Sequence, residues 1–137
     1  MGGGTAFVDA NVILRFLQGW PPEQADGAEQ LFDAARRGLV RLALHPVVLS
    51  EVVYVAVSPS GLGLTRQAVA EELLHFLQLD GLDVADRQAT LDALQLFSAS
   101  RLDWADCVLL SYLPHHRVYT FDREMLKRGA QSPDDHP

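Results

Sequence analysis

The stretch TAFVDANVILRFLQ, residues 5–18, decides the fold of this chain. Residues 5–9 predict a short buried strand, because they are mostly apolar, follow a run of glycines and precede a polar turn. Asn11 can cap a helix over residues 12–18, and GWPP at residues 19–22 breaks that helix. A strand that leads directly into a helix is typical of an α/β protein with parallel strand pairing.

Strand and helix patterns alternate along the rest of the chain. Helices are expected over residues 23–37, 46–57, 66–79, 86–100 and 104–113, with a final turn or two at 123–128. Further strands are expected over residues 39–45, 82–85 and 117–121. Strands separated by helices of these lengths imply a parallel sheet with both faces covered. The helix at 46–57 is apolar on nearly every side, so we expect it to be buried.

The length and composition indicate one folded domain. A chain of 137 residues, of which 48% are apolar, can bury a sizeable core, and we expect a single domain over residues 1–137. Residues 130–137 are polar and are expected to form a disordered tail. The single cysteine, Cys107, excludes an intramolecular disulfide framework, and no window is apolar enough for a membrane span. We therefore expect a cytoplasmic protein.

The charge balance argues against one kind of nucleic-acid binding. Eleven basic and eighteen acidic residues give a net charge of -7, which disfavours a protein that grips phosphates with a broad basic surface. However, ten of the eleven cations are arginine, the side chain best shaped for bidentate phosphate contacts. A local attraction for phosphate is therefore compatible with a repulsive average charge.

Four acidic side chains lie in mostly apolar segments: Asp9, Glu51, Asp106 and Asp122. Carboxylates are costly to remove from water unless a cation meets them, and a divalent metal ion can satisfy several at once. Asp9 closes the first predicted strand and Asp122 closes the last. Because the carboxyl ends of parallel strands meet at one edge of the sheet, the sequence predicts a metal site there, of the kind that performs phosphoryl chemistry.

Each acid also has an ordinary structural explanation. Asp122 and Asp103 can cap the helices that follow them, with Asp106 close to the positive end of its helix. Asp9 can form an Asx-turn at the junction of strand and helix. Glu51 would need an arginine partner, and no basic residue lies within a helical turn of it. These separate explanations do not account for the coincidence of the acids at one predicted edge.

Four segments of the chain together resemble the PIN-domain family of metal-dependent ribonucleases, and within it the VapC-type toxins. They are FVDANVIL at residues 7–14, HPVVLSE at 45–51, LDWADCV at 102–108 and VYTFDR at 118–123. The resemblance implies a three-layer α/β/α sandwich around a central parallel sheet of four to five strands. It also implies that the four acids hold magnesium or manganese. We expect Asp9 and Asp106 to be direct ligands, with Glu51 and Asp122 acting partly through water.

The resemblance extends to other polar positions. Asp103 matches an additional acid of the family. Asn11 and Thr120 match residues that hold the acids in place without touching the metal. Arg15 and Arg123, each near an acid in the sequence, are candidates for contacts with substrate phosphates, and solvated surface charge is their alternative interpretation.

The function implied is hydrolysis of RNA phosphodiester bonds by a metal-activated water. By resemblance to VapC-type proteins, the chain would be the toxin of a type II toxin–antitoxin pair, with a cognate antitoxin and a second copy of itself as partners. The alternative is a nuclease-like module that binds protein with weak or no catalysis. In that case the apolar faces of the helices at 66–79 and 23–37 would receive a partner helix, unless those faces belong to the core.

Overall fold

The computed structural model describes residues 4–137, which divide into two compact units. The N-terminal unit ends at Ala85 and the C-terminal unit runs from Asp86 to Pro137. Each unit is described by itself below. The expected single domain and its three-layer arrangement stay predictions.

The N-terminal unit contains a parallel sheet and four helices. Its elements are β1 (Thr5–Phe7), α1 (Ala10–Gln18), α2 (Pro22–Arg36), β2 (Arg41–Leu44), α3 (Pro46–Val57), α4 (Arg66–Phe76) and β3 (Leu82–Val84). The strand order is β1-β2-β3, with both pairs parallel. Ala6 lies opposite Leu42, and Ala43 lies opposite Asp83. The predicted α/β class with a parallel sheet is therefore confirmed.

Three phenylalanine rings form the centre of the N-terminal core. The ring centroid of Phe32 on α2 lies 4.8 Å from that of Phe16 on α1 and 5.1 Å from that of Phe76 on α4. Both pairs meet edge to face, the arrangement that aromatic quadrupoles favour. Phe32 and Phe76 are 0% and 2% exposed, whereas Phe16 is half-buried, so the centre of the cluster at Phe32 is closed to water.

Gly81 fixes the approach of β3 to the end of α2. Its φ of +88° lies in the left-handed region, and a Cβ added there would overlap the carbonyl oxygen of Ala35. Its own carbonyl accepts a hydrogen bond from Leu42 N at 2.9 Å, next to the β2–β3 pairing. Only glycine satisfies both the dihedral angle and the space at this position.

Several expectations for the N-terminal unit are wrong. β1 is exposed rather than buried, with Phe7 74% accessible, because β1 is the first strand in the sheet order and pairs only with β2 among residues 4–137. Asn11 lies inside α1, and the residue at the cap position is Asp9. α3 buries one face only, since Val47 and Tyr54 are 66% and 72% exposed.

The two helix faces proposed to receive a partner belong to the core. On α4 and just beyond it, Val69, Leu73, Phe76 and Leu77 are at most 2% exposed. On α2, Ala28, Phe32 and Ala35 are also buried. The core interpretation of both faces is therefore confirmed.

The C-terminal unit contains three helices: α5 (Arg87–Ala99), α6 (Trp104–Leu110) and α7 (Arg123–Lys127), with a short 3-10 helix at Pro133–Asp135. α5 and α6 pack through Phe97 and Trp104, whose ring centroids are 5.9 Å apart. The hydroxyl of Tyr112 donates a hydrogen bond of 2.8 Å to Asp86 Oδ2. This bond raises the pKa of the Tyr112 phenol.

The strand predicted over residues 117–121 does not form. In its place a single parallel bridge joins Tyr119 to Gln131, with Thr120 N donating to Gln131 O at 2.9 Å and Gln131 N donating to Val118 O at 2.8 Å. The pairing stops at two backbone bonds because the chain enters α7 at Arg123. Two bonds are too few to form a strand. The sheet therefore has three strands among residues 4–137, and the prediction of four to five is wrong.

The last residues have local contacts. In the segment 130–137, where the composition predicts a disordered tail, Ala130 is buried and Gln131 forms the bridge. Ser132 then caps the 3-10 helix by accepting a bond from Asp134 N. Across residues 4–137, no helix has the length and apolarity needed to cross a membrane.

Candidate active site

Asp9 follows β1 and occupies the position before α1. Its neighbours Val8 and Ala10 are buried, which turns the Asp9 side chain to the exposed side of the chain. Its backbone oxygen accepts from Val12 N at 3.1 Å, whereas its carboxylate makes no capping bond. Asp9 therefore opens the helix through its backbone, and its carboxylate has no part in this turn.

Glu51 lies on α3, on the exposed face that also carries Val47 and Tyr54. Val52 and Val53, which follow it, are buried and anchor the opposite side of the helix. Within residues 4–137, no arginine or lysine forms an ion pair with Glu51. The described contacts thus lack the arginine partner that would explain Glu51 structurally.

Asp9 and Glu51 belong to neighbouring β-α connections. Asp9 follows β1 and α3 follows β2, and these two strands are parallel neighbours. The carboxyl ends of β1 and β2 therefore lie at the same edge of the sheet. α1 and α3 also pack against each other. The N-terminal unit thus brings the start of α1 and the start of α3 to the edge where the sequence predicts a metal site.

The acids of the C-terminal unit have structural contacts of their own. Asp103 caps α6, its carboxylate accepting from Asp106 N at 2.9 Å. Asp122 caps α7 in the same way, accepting from Met125 N at 2.9 Å. Both capping interpretations are confirmed, and a carboxylate that caps through one oxygen keeps further lone pairs for a cation.

Electrostatic interactions connect Asp103, Asp106 and Asp122. The pKa of Asp106 is raised, first by partial burial, then by the negative charges of Asp103 and Asp122, and also by a hydrogen bond with the Asp103 side chain. Burial and like charges both disfavour the ionised form. A cation in this neighbourhood would relieve the repulsion.

The backbone of Asp122 is held by Thr120. Thr120 Oγ1 accepts a hydrogen bond of 3.0 Å from Asp122 N and lies 3.6 Å from the sulfur of Met125, which is buried. Thr120 therefore anchors the turn that presents the Asp122 carboxylate. Arg123 follows at the first position of α7 and is exposed.

Asn11 and Arg15 lie together on α1 and line an open cleft of about 420 Å³ between α1 and α2. Arg15 Nε donates to Gln24 Oε1 at 2.8 Å, which fixes the guanidinium at the wall of the cleft. Sequence reasoning missed Gln24. It lies nine residues from Arg15 on the other side of a helix break, so no helical spacing signals the contact.

The donor atoms of these residues suit a hard divalent ion. All five candidate ligands are carboxylates, with no thiolate or imidazole among them, and oxygen ligands favour magnesium or manganese. Across residues 4–137, no three His, Cys, Asp or Glu side chains stand close enough together to hold a metal ion. The chemistry of the residues therefore fits such an ion, and the described geometry contains no complete ligand set.

Comparison with known proteins gives a single result. No curated protein and no solved structure matches the chain significantly. A family model described as PIN domain matches residues 6–130, which is most of the chain and includes every candidate acid. PIN domains generally have a nuclease fold, are typically metal-dependent and act on nucleic acid. The chain therefore belongs to the PIN-domain family.

Proposed function

We propose that this protein is a magnesium- or manganese-dependent endoribonuclease and the toxin of a type II toxin–antitoxin pair. Asp9 and Glu51 carry the metal-dependent nuclease part of this proposal. Both are exposed carboxylates, and among residues 4–137 neither has an ion-pair partner or a capping bond. Exposed carboxylates without an ion pair or cap, within the segment matched to a nuclease family, are available to bind a divalent cation.

The proposed ligand set contains five acids. Asp9 and Asp106 would bind the ion directly, Glu51 and Asp122 would act partly through water, and Asp103 would add charge. When bound, the ion would supply the positive charge that lowers the pKa of a water molecule and polarises the phosphodiester. Partial burial and the negative charges of Asp103 and Asp122 raise the pKa of Asp106, which supports this assignment because both favour uptake of a cation or a proton.

The polar residues around the acids have distinct proposed roles. Thr120 would keep the Asp122 carboxylate oriented through its bond to Asp122 N. Arg15, held by Gln24, would present a fixed guanidinium to a substrate phosphate. Arg123 is exposed, and among residues 4–137 it has no ion-pair partner, so it is available for a second phosphate contact. Asn11, on the rim of the same cleft as Arg15, would support Asp9.

The toxin role, the antitoxin, the homodimer and the cytoplasmic location rest on the resemblance of four segments to VapC-type proteins. The alternative is a protein-binding module without catalysis. This alternative requires exposed apolar faces on α2 and α4, and both faces are buried in the core.

Replacement of one acid tests the catalytic part of the proposal. The variant Asp9→Asn keeps the shape of the side chain and removes its charge, so magnesium-dependent cleavage of RNA should fall at least about 100-fold. The measurement is the cleavage rate on structured and unstructured RNA, with and without magnesium. Asp26→Asn, an exposed aspartate on α2, is the matched control and should cleave like the wild type. Equal rates for Asp9→Asn and the wild type would exclude the proposed site.

Bacterial growth tests the toxin role separately. Expression of the wild-type chain alone should arrest growth, and expression of Asp9→Asn to the same soluble level should not. A soluble wild-type product without effect on growth would contradict the toxin role and favour the binding module. A small neighbouring gene for a DNA-binding protein whose co-expression restores growth would identify the antitoxin.

A further inference from the structure

The C-terminal unit carries a cluster of basic side chains that are distinct from the proposed ligands and from Arg15 and Arg123. The loop after Leu113 exposes His115, His116 and Arg117. The end of α7 exposes Lys127 and Arg128. We call these five residues the basic surface.

The fold brings the two segments of the basic surface together. A Cβ added to Gly129, which follows Arg128, would lie 3.3 Å from Leu113 Cδ1, so the end of α7 contacts the start of the loop. The chain segments at Tyr119 and Gln131 run in parallel. The residues that precede each of them therefore lie toward the same end of the bridge.

Among residues 4–137, two of the three arginine and lysine side chains of the basic surface have no ion-pair partner. Arg128 Nε is 3.3 Å from Glu124 Oε1, whereas Arg117 and Lys127 form no ion pair with any carboxylate among residues 4–137. Two exposed cations without acidic partners, Arg117 and Lys127, on a protein of net charge -7 suit an anionic partner.

The loop has a defined conformation. His116 N donates a hydrogen bond of 3.0 Å to Tyr112 O, and the two rings meet edge to face with centroids 6.0 Å apart. Tyr112 is in turn tied to Asp86 at the start of α5. Arg117 is therefore presented by an ordered backbone, and the exposed His116 ring offers a surface on which a base can stack.

We propose that the basic surface binds the sugar–phosphate backbone of single-stranded RNA, and this inference rests on the proposed nuclease function. Arg117 is suited to bidentate contact with a phosphate, and Lys127 adds a point charge. Arg117 is five residues from Asp122, a span of at most roughly 18 Å along the chain. One RNA strand can thus contact the basic surface and reach a catalytic acid of the same unit.

The test is RNA binding by a double variant, Arg117→Gln with Lys127→Gln. Anisotropy of a labelled single-stranded RNA is measured in EDTA, so that metal-dependent cleavage does not occur, between about 50 and 200 mM salt. The variant should bind about tenfold more weakly, and the slope of log affinity against log salt should fall by about 1.4, or 0.7 for each lost contact. Both side chains are exposed, so the melting temperature should not change.

Arg36→Gln with Arg37→Gln on α2 is the matched control, because it removes the same charge from another exposed surface. It should change the affinity less than about twofold. Wild-type affinity and slope in the Arg117/Lys127 variant would overturn the inference. An equal loss in the control, or tighter binding of the wild type to phosphatidylserine vesicles than to RNA, would overturn it as well.

Cleavage kinetics separate this inference from the proposed catalytic site. The Arg117/Lys127 variant should raise KM about tenfold and keep kcat within about twofold, since it removes binding and leaves the acids intact. If Asp9→Asn cleaves like the wild type while the double variant loses RNA, the catalytic site is wrong and the basic surface stands. If Asp9→Asn is inactive and the double variant binds normally, the basic surface alone is wrong.

Discussion

The two units use their acids in different ways. In the N-terminal unit, Asp9 and Glu51 are exposed, and the described contacts give their carboxylates no capping bond and no ion pair. In the C-terminal unit, Asp103 and Asp122 each cap a helix, and after partial burial their charges are the next causes that raise the pKa of Asp106. Stability of the first unit therefore depends on its core, whereas the second unit depends partly on residues that are also candidate ligands.

The difference shows how a site can be combined with a fold. An acid that caps a helix is held in one orientation at no extra cost, but its replacement damages structure and chemistry together. An acid without structural contacts can be replaced with little effect on stability. Replacement of an acid without structural contacts separates the effect on catalysis from the effect on stability. Asp9 and Glu51 are therefore the better residues to replace.

The largest expected effect tests the dependence of the N-terminal unit on its core. Phe32→Ala removes the central ring of the aromatic cluster, so the free energy of unfolding should fall by about 3–5 kcal/mol. Urea denaturation followed by circular dichroism measures this change. Leu39→Ala, at a residue 65% exposed, is the control and should cost less than about 0.5 kcal/mol. A similar loss in both variants would mean that the cluster is not the main source of stability.

The next effect compares two aspartates at equivalent positions. Asp9 and Asp122 both precede a helix, but only Asp122 accepts a bond from the backbone. In EDTA, Asp122→Ala should lower the free energy of unfolding by about 1 kcal/mol, and Asp9→Ala should lower it by less than about 0.5 kcal/mol. Chemical denaturation of both variants measures the difference. Equal losses would show that the units do not differ in this way.

The smallest effect is the pH dependence caused by Asp106. Its folded-state pKa is raised above 3.8, so the folded protein holds this proton more tightly than the unfolded chain does. The resulting stability is fully present below 3.8 and is lost as pH rises through the raised pKa. In EDTA, Asp106→Asn should therefore melt above the wild type near neutral pH, and the gap should close as the pH falls toward 3.8.

Magnesium should reverse the order of the melting temperatures of Asp106→Asn and the wild type. The ion should stabilise the wild type and have little effect on Asp106→Asn, because the variant lacks a proposed ligand. Thermal melts with and without magnesium provide this comparison. A variant that melts below the wild type in EDTA near neutral pH would contradict the assigned repulsion.

Local chemical signals predicted the helices well. Pro46 and the apolar run behind it gave the bounds of α3, and Thr65 and Asp103 cap the helices expected after them. These signals act within one turn of the chain, so a sequence contains them fully. The parallel sheet followed from the alternation of strands and helices.

Features that depend on contacts between distant segments could not be predicted from such local signals. The stretch 117–121 has strand-like composition, but its backbone bonds depend on Gln131, and only two are made. α3 is apolar on nearly every side, and packing against its neighbours decides that Tyr54 is exposed. The candidate acids come from four separate segments, and their common role was inferred from the shared edge of a parallel sheet and from family resemblance rather than from any local pattern.

Gly81 occupies a position at which the structure accepts no other amino acid. Any other amino acid there would bring a side chain into the backbone at Ala35 and would strain a left-handed dihedral angle at the same time. Two simultaneous penalties leave no single compensating change nearby, so a library of randomised variants selected for folding should return glycine at this position. The junction between α2 and β3 would then serve as a fixed reference point for aligning more divergent relatives.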